Sequence, residues 1–116
     1  MDDKTKTQPS EAVGTRLLFE NERVRVWDLS LAPGEWAETH IHRLDYCLII
    51  AQGGHLQHAD PDNPADSRDV HFTDDQVTFS EAGDGVVHQR LTNVGATPHK
   101  NYIVEFKDAP GGTTPK

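Results

Sequence analysis

The chain has 116 residues and a net charge of −8, with a pI near 5.2; that is one domain rather than two, and its acidity argues against nucleic acid or an anionic membrane as partner. No run approaches the ~18 apolar residues of a membrane span. The lone Cys47 excludes an internal disulfide and the N-terminus lacks an apolar signal core, so a cytoplasmic protein is the simplest reading.

Residues 1–13 are polar, carry Pro9 and read as a mobile arm. The folded domain is expected over 14–107, and 108–116 reads as a mobile tail. Between them no helical periodicity stands out. Short segments rich in Val, Ile, Phe and Thr alternate with turns. The expected strands are Arg16–Glu20, Arg23–Leu31 (closed by Ala32-Pro33-Gly34), Glu38–His42 and Asp45–Ala51. After Gly53-Gly54, His55–His58 reads as a hairpin partner, and Asp60–Arg68 as an acidic loop. Val70–Thr73, Gln76–Ser80, Val86–Thr92 and Asn101–Lys107 complete the set. About nine short strands predict an all-β sandwich or barrel. A core of about 95 residues buries only roughly 60–68% of its unfolded surface, so a homodimer is expected.

Seven histidines in so short a chain raise the question of a metal. His40 and His42 are separated by one residue, and on a strand such side chains share a face. Neutral imidazole is the commonest metal ligand. If the strand is regular, Trp36 and Glu38 share that inward face. If the phase holds through Asp45, so do Leu44, Tyr46, Leu48 and Ile50, with Cys47 and Ile49 facing away. A third candidate ligand, His88, follows the turn Gly83-Asp84-Gly85. Three histidines with open positions suit catalytic zinc or non-haem iron.

These segments resemble the two motifs of the cupin superfamily. The first motif runs Gly, five residues, His-x-His, three or four residues, Glu, six residues, Gly; here it reads Gly34, His40-Ile41-His42, Tyr46 and Gly53. The second runs Gly, five residues, Pro-x-Gly, two residues, His, three residues, Asn; here it reads Gly83-Asp84-Gly85, His88 and Asn93. The resemblance covers most of residues 15–107. It implies a small RmlC-like jelly-roll barrel (a double-stranded β-helix), usually dimeric, holding a divalent metal on His40, His42 and His88. Three departures stand out. Gly83 replaces the motif proline. Asn93 comes one residue late, as a β-bulge would produce. Tyr46 stands where the family has a glutamate ligand. Without that carboxylate, three neutral ligands leave more positive charge and one more open position, which favours an anionic or bidentate substrate. Some cupin dioxygenases resemble this three-His arrangement.

The candidate catalytic residues are Tyr46, Glu38 and Arg90. Tyr46 is an aromatic filling the barrel, a phenolate ligand, or a donor to bound substrate. Glu38 is a rim charge, or else a general base or replacement ligand. Arg90 clamps a substrate carboxylate or pairs with an acid across the mouth. Trp27 and Trp36 read as core or interface aromatics, and Cys47 as a buried small hydrophobe. His55, His58, His71 and His99 read as exposed turn residues. The expected function is that of a small metal-binding mono-cupin: an enzyme of dioxygenase, lyase or isomerase type acting on a small polar, anionic metabolite. Its metal would be Fe2+ first, with Zn2+, Mn2+, Ni2+ or Co2+ as alternatives. The competing reading is a non-catalytic small-molecule or metal-binding module.

Overall fold

The computed structural model describes residues 12–60 and 62–107. They form eleven strands: β1 (Arg16–Glu20), β2 (Val24–Leu31), β3 (Trp36–Ala37), β4 (His40–His42), β5 (Asp45–Gln52), β6 (Gly54–Asp60), β7 (Asn63–Phe72), β8 (Val77–Ser80), β9 (Val86–His88), β10 (Arg90–Asn93) and β11 (His99–Phe106). No helix occurs among the described residues. Every strand pairing is antiparallel. A five-stranded sheet runs β1-β2-β11-β5-β8, a four-stranded sheet β3-β10-β6-β7, and β4 and β9 form a two-stranded ladder. The all-β expectation holds.

Alternation builds the core. On β11, His99, Asn101, Ile103 and Glu105 are buried while their neighbours are half-exposed. On β5, Tyr46 and Ile50 are buried and Leu48 packs against the core. Leu29, Leu31, Tyr46 and Ile103 from the five-stranded sheet meet Leu56 and Leu91 from the four-stranded sheet. Burying each such aliphatic side chain is worth about 1.5–3 kcal/mol. The outer face of the five-stranded sheet is also apolar: Cys47, half-buried, lies opposite Phe79, and Ile49 opposite Val77. Val77 and Phe79 are among the most exposed large hydrophobics.

Four expectations need correction. The acidic segment expected as the loop Asp60–Arg68 is largely strand: β7 starts at Asn63 and pairs with β6 as far as Phe72. It is an edge strand, so one side of its ladder needs no partner, and this tolerates both its polar residues and Pro64. The expected strand Glu38–His42 breaks at Glu38–Thr39, and Val86–Thr92 breaks at Gln89, where the chain leaves β4 for the four-stranded sheet. That extra residue accounts for the late Asn93. Finally, Val13, assigned to the arm, is 1% exposed and belongs to the core cluster. The rest of the arm (1–11) and the tail (108–116) lie outside the described residues.

Two features hold the motif ends together. Glu35 N–H donates to the Ala32 carbonyl (2.9 Å), closing a turn with Pro33 and Gly34 at its centre; Gly34 has φ +89°, as position i+2 of a type II turn requires. Asn93, 1% exposed, binds that turn through its backbone: Gly34 N–H donates to its carbonyl (2.8 Å), and its own N–H donates to Glu35 (2.9 Å). Its side-chain amide donates to the carbonyls of Leu31 and Thr97 and accepts from Gly95 N–H, each at 2.9 Å. Replacing Asn93 by Ala strands two carbonyls and one N–H. We expect Asn93→Ala to cost about 2–4 kcal/mol, read as a lower urea midpoint at unchanged m-value; a loss below ~1 kcal/mol would mean the clasp is dispensable.

Candidate metal centre

The ladder of β4 and β9 is three pairs long: His40 opposite His88, Ile41 opposite Val87, His42 opposite Val86. Period-two alternation therefore puts His40, His42 and His88 on one face. Their ring centroids are 5.0 Å (His40–His42), 5.3 Å (His40–His88) and 4.6 Å (His42–His88) apart, all edge to face. One nitrogen from each ring can be chosen so that all lie within 4.8 Å of one another. It is the one such group of three or more ligating side chains among the described residues. The His40 Nδ1–H donates to the Glu38 carbonyl (3.1 Å), which fixes the tautomer and leaves Nε2 free as a ligand. His42 Nδ1 is buried with no hydrogen-bond partner. A cluster of buried, unprotonated nitrogens, one of them orphaned, fits a borderline metal ion.

Burial drives the electrostatics. It pushes His42 down to about 3, with the neighbouring His88 and His40 rings adding to the effect. His88 falls to about 4, from burial first and then from His40, His58 and Arg68. His40 is also lowered by burial, opposed by the Glu38 carbonyl. All three rings are therefore neutral near pH 7, the form that ligates metal.

Tyr46 is 5% exposed and stacks on His42, with centroids 3.9 Å apart at 17°. Its hydroxyl lies 3.4 Å from His88 Nε2. Burial raises the phenol above its usual range, partly offset by a bond to Ser80, so it stays protonated as a donor. Glu38 and Arg90 sit at the rim instead of in the cavity. Arg90 donates to Glu38 Oε1 from Nε (3.2 Å) and Nη2 (2.9 Å), and Trp36 Nε1–H donates to Oε2 (2.7 Å). The Arg90 guanidinium also lies 5.2 Å above the Trp36 ring. The Trp36 bond first, then Arg90, holds the Glu38 carboxyl below its usual range. Trp36, expected inward, is 52% exposed. The break at Glu38–Thr39 resets the alternation, so that Thr39 and His40 are both buried.

Sequence reasoning read His55, His58, His71 and His99 as turn residues, whereas all four lie on strands, and it missed one asparagine. His58 is on β6, not in an exposed turn; its ring is 5.6 Å from His88, and burial lowers its proton affinity. It is in phase with the fully buried Leu56, which was the available signal. His99 is 1% exposed and stacks on Phe72. Asn101 is 2% exposed. His55 and His71 stack on each other across β6 and β7, away from the cluster.

The three histidines line a small, partly open cavity of about 60 Å3. Tyr46, His58 and Asn101 are its other polar members; Leu48, Phe72, Leu91 and Ile103 are among its apolar walls. Among the described residues no carboxylate lines it. His40, Val13 and Leu29 also wall a wider open groove of about 570 Å3 that runs past Trp36 and Glu38, so the cavity and the outside share the His40 wall.

Because the rings bind protons more weakly folded than unfolded, the unfolded chain takes up more protons below its ordinary histidine pKa of about 6.5, and stability falls with pH from there to about 4 and below. Urea titrations of metal-free protein are expected to show this fall between pH 7 and 4, with His42→Asn flattening it. An unchanged profile in His42→Asn would show that the ring is solvated.

No family model matches the chain, and no curated protein matches it. Solved structures do. A cupin domain from Bordetella pertussis is 25% identical, with a TM-score of 0.67 over 86% of this chain and 97% of its own. A Bacillus halodurans protein is 26% identical, with a TM-score of 0.55 over 90% and 75%. A Klebsiella pneumoniae protein with a double-stranded β-helix domain is 18% identical, with a TM-score of 0.59 over 94% and 90%. An RmlC-like cupin from Methanocaldococcus jannaschii shares the fold at 16% identity and a TM-score of 0.52. The described residues thus share the cupin fold, a double-stranded β-helix, with a three-histidine cluster that could bind a metal ion facing its interior cavity.

Proposed function

We propose that this chain is a metal-dependent enzyme, of dioxygenase, lyase or isomerase type, acting on a small anionic metabolite. The observation that carries the reading is the convergence of His40, His42 and His88 on a buried cavity with no carboxylate in its wall. Three neutral ligands leave the full charge of a divalent ion, Fe2+ foremost, uncompensated, and an anionic substrate would supply the balance. Bound there, the ion supplies Lewis acidity and, if redox-active, access to electron-transfer chemistry.

The protein's own groups have separable tasks. Tyr46, kept protonated by burial, donates a hydrogen bond beside the cluster and orients a bound oxyanion. His58 faces the cluster without belonging to it, and holds or moves a proton at the substrate. Glu38 and Arg90, bound to each other at the rim, gate the approach along the groove; an incoming carboxylate competes with Glu38 for the guanidinium. The apolar walls exclude water.

Protein loaded anaerobically with each candidate metal, then assayed for O2 uptake and product formation against small acids, diketones and thiols, tests the reading. One metal per chain is expected. His88→Ala should weaken metal binding by more than the ~10–100-fold that an outer-shell partner is worth, while Tyr46→Phe keeps the metal and loses turnover. A protein that holds its metal and turns over nothing would favour a binding module. The homodimer is likewise a proposal, supported by the apolar outer face bearing Val77 and Phe79. Phe79→Arg should convert a dimer to a monomer in sedimentation; a wild-type monomer at high concentration would rule it out.

A further inference from the structure

Asn101 sits on the inner face of β11, two residues from His99, and is buried to all but 2%. Its Nδ2 lies 2.8 Å from His99 Nε2. The backbone carbonyls of Gly53 and Gln52 lie against the His99 ring. With the amide nitrogen facing Nε2, that ring nitrogen accepts and the Asn101 amide donates to it; the ring proton then lies on Nδ1, which has no hydrogen-bond partner among the described residues. That orientation leaves Asn101 Oδ1 buried with no donor among the described residues. Asn101 lines the same cavity as the three histidines. An unpaired buried acceptor is costly and calls for a donor.

We infer that Asn101 Oδ1 is the recognition point for the tail of a short bifunctional acid, one whose acidic head goes to the three-His centre and whose tail is a neutral O–H or N–H donor. The inference rests on the function proposed above and narrows its substrate class. A methyl tail would leave Oδ1 unpaired, and a site built to hydrogen-bond a hydroxyl rejects the analogue that lacks it. An ammonium tail would enter a cavity whose lining holds no carboxylate, and an uncompensated buried charge is expensive. A cavity of about 60 Å3 has room for only a few heavy atoms. A short ω-hydroxy acid meets all three conditions.

The test uses the full chain loaded with Co2+, whose visible absorption reports binding of the head group. Three probes are titrated at each chain length from two to four carbons: the ω-hydroxy acid, the ω-amino acid and the plain alkanoate. At one length the hydroxy acid is expected to bind about tenfold or more tightly than both others. Asn101→Leu should abolish that preference while Co2+ stoichiometry and alkanoate affinity persist. Asn101→Asp should turn it toward the amino acid, and carries the test alone if the leucine variant does not fold. Equal binding of hydroxy acid and alkanoate at every length, no binding of any probe by Co2+-loaded protein, or a hydroxyl preference that survives in the folded variants would overturn the inference, leaving Oδ1 to an ordered water. Failure of the wild-type chain to hold Co2+ or any other candidate metal would instead remove the proposed function itself, and this inference with it.

Discussion

Three residue pairs between β4 and β9 carry the centre of this molecule. So short a ladder has little stability of its own; a two-stranded ribbon needs packing against further strands to persist. Support comes from both ends. His42 lies flat on Tyr46, which anchors the ladder to β5 and the five-stranded sheet. Downstream of His88, the chain passes Gln89 into β10, whose last residue, Asn93, is bonded to the turn that opens the first motif and to the end of β2. The imidazoles are thus placed by elements belonging to all three sheets, and the positions of Gly34 and Asn93 in the two motifs are explained by one shared set of hydrogen bonds.

The second constraint is charge. Four histidines of depressed proton affinity meet a phenol held in its neutral form, and Glu38, the acid that sequence reasoning brought near the site, stays outside the cavity. Glu38 is satisfied by Trp36 and Arg90 at the rim. Glu105, 2% exposed, accepts from Trp27 Nε1–H (2.7 Å) and pairs with Arg25 (3.4 Å). Among the described residues no carboxylate therefore lines the cavity, and a cation held there by neutral nitrogens would meet no acid in its wall.

Much of this was legible from the chain because strand parity is a strong signal where a strand stays regular. The spacing of His40 and His42, and the run Tyr46, Leu48, Ile50, gave the inward face of β4 and β5 without error. Parity failed where the chain leaves a strand. No residue type announces the break at Glu38–Thr39, and it turned Trp36 outward. His58 and His99 were misread because histidine has no fixed preference for core or surface; their phase with Leu56 and with Ile103 was the better guide. The strand character of β7 was hidden because an edge strand with both polar faces lacks the alternation that marks a half-buried one. The role of Asn101 depends on which of its atoms lacks a partner, a three-dimensional fact with no counterpart in composition or spacing.

The alternation in β4 has a consequence for how such a chain can diverge. Between the two imidazoles, Ile41 faces away, toward the turn at Gly85, where a Cβ on that glycine would meet the isoleucine at 3.2 Å. Other aliphatic residues of similar bulk would serve at 41. A single inserted or deleted residue between Glu38 and Leu44 would do something different in kind: it would rotate at least one imidazole out of the interior and swing an aliphatic side chain into its place. Drift in identity is cheap on this strand and drift in length is not. Descendants of this chain that keep the chemistry should therefore keep the count of residues there even where few of the letters survive.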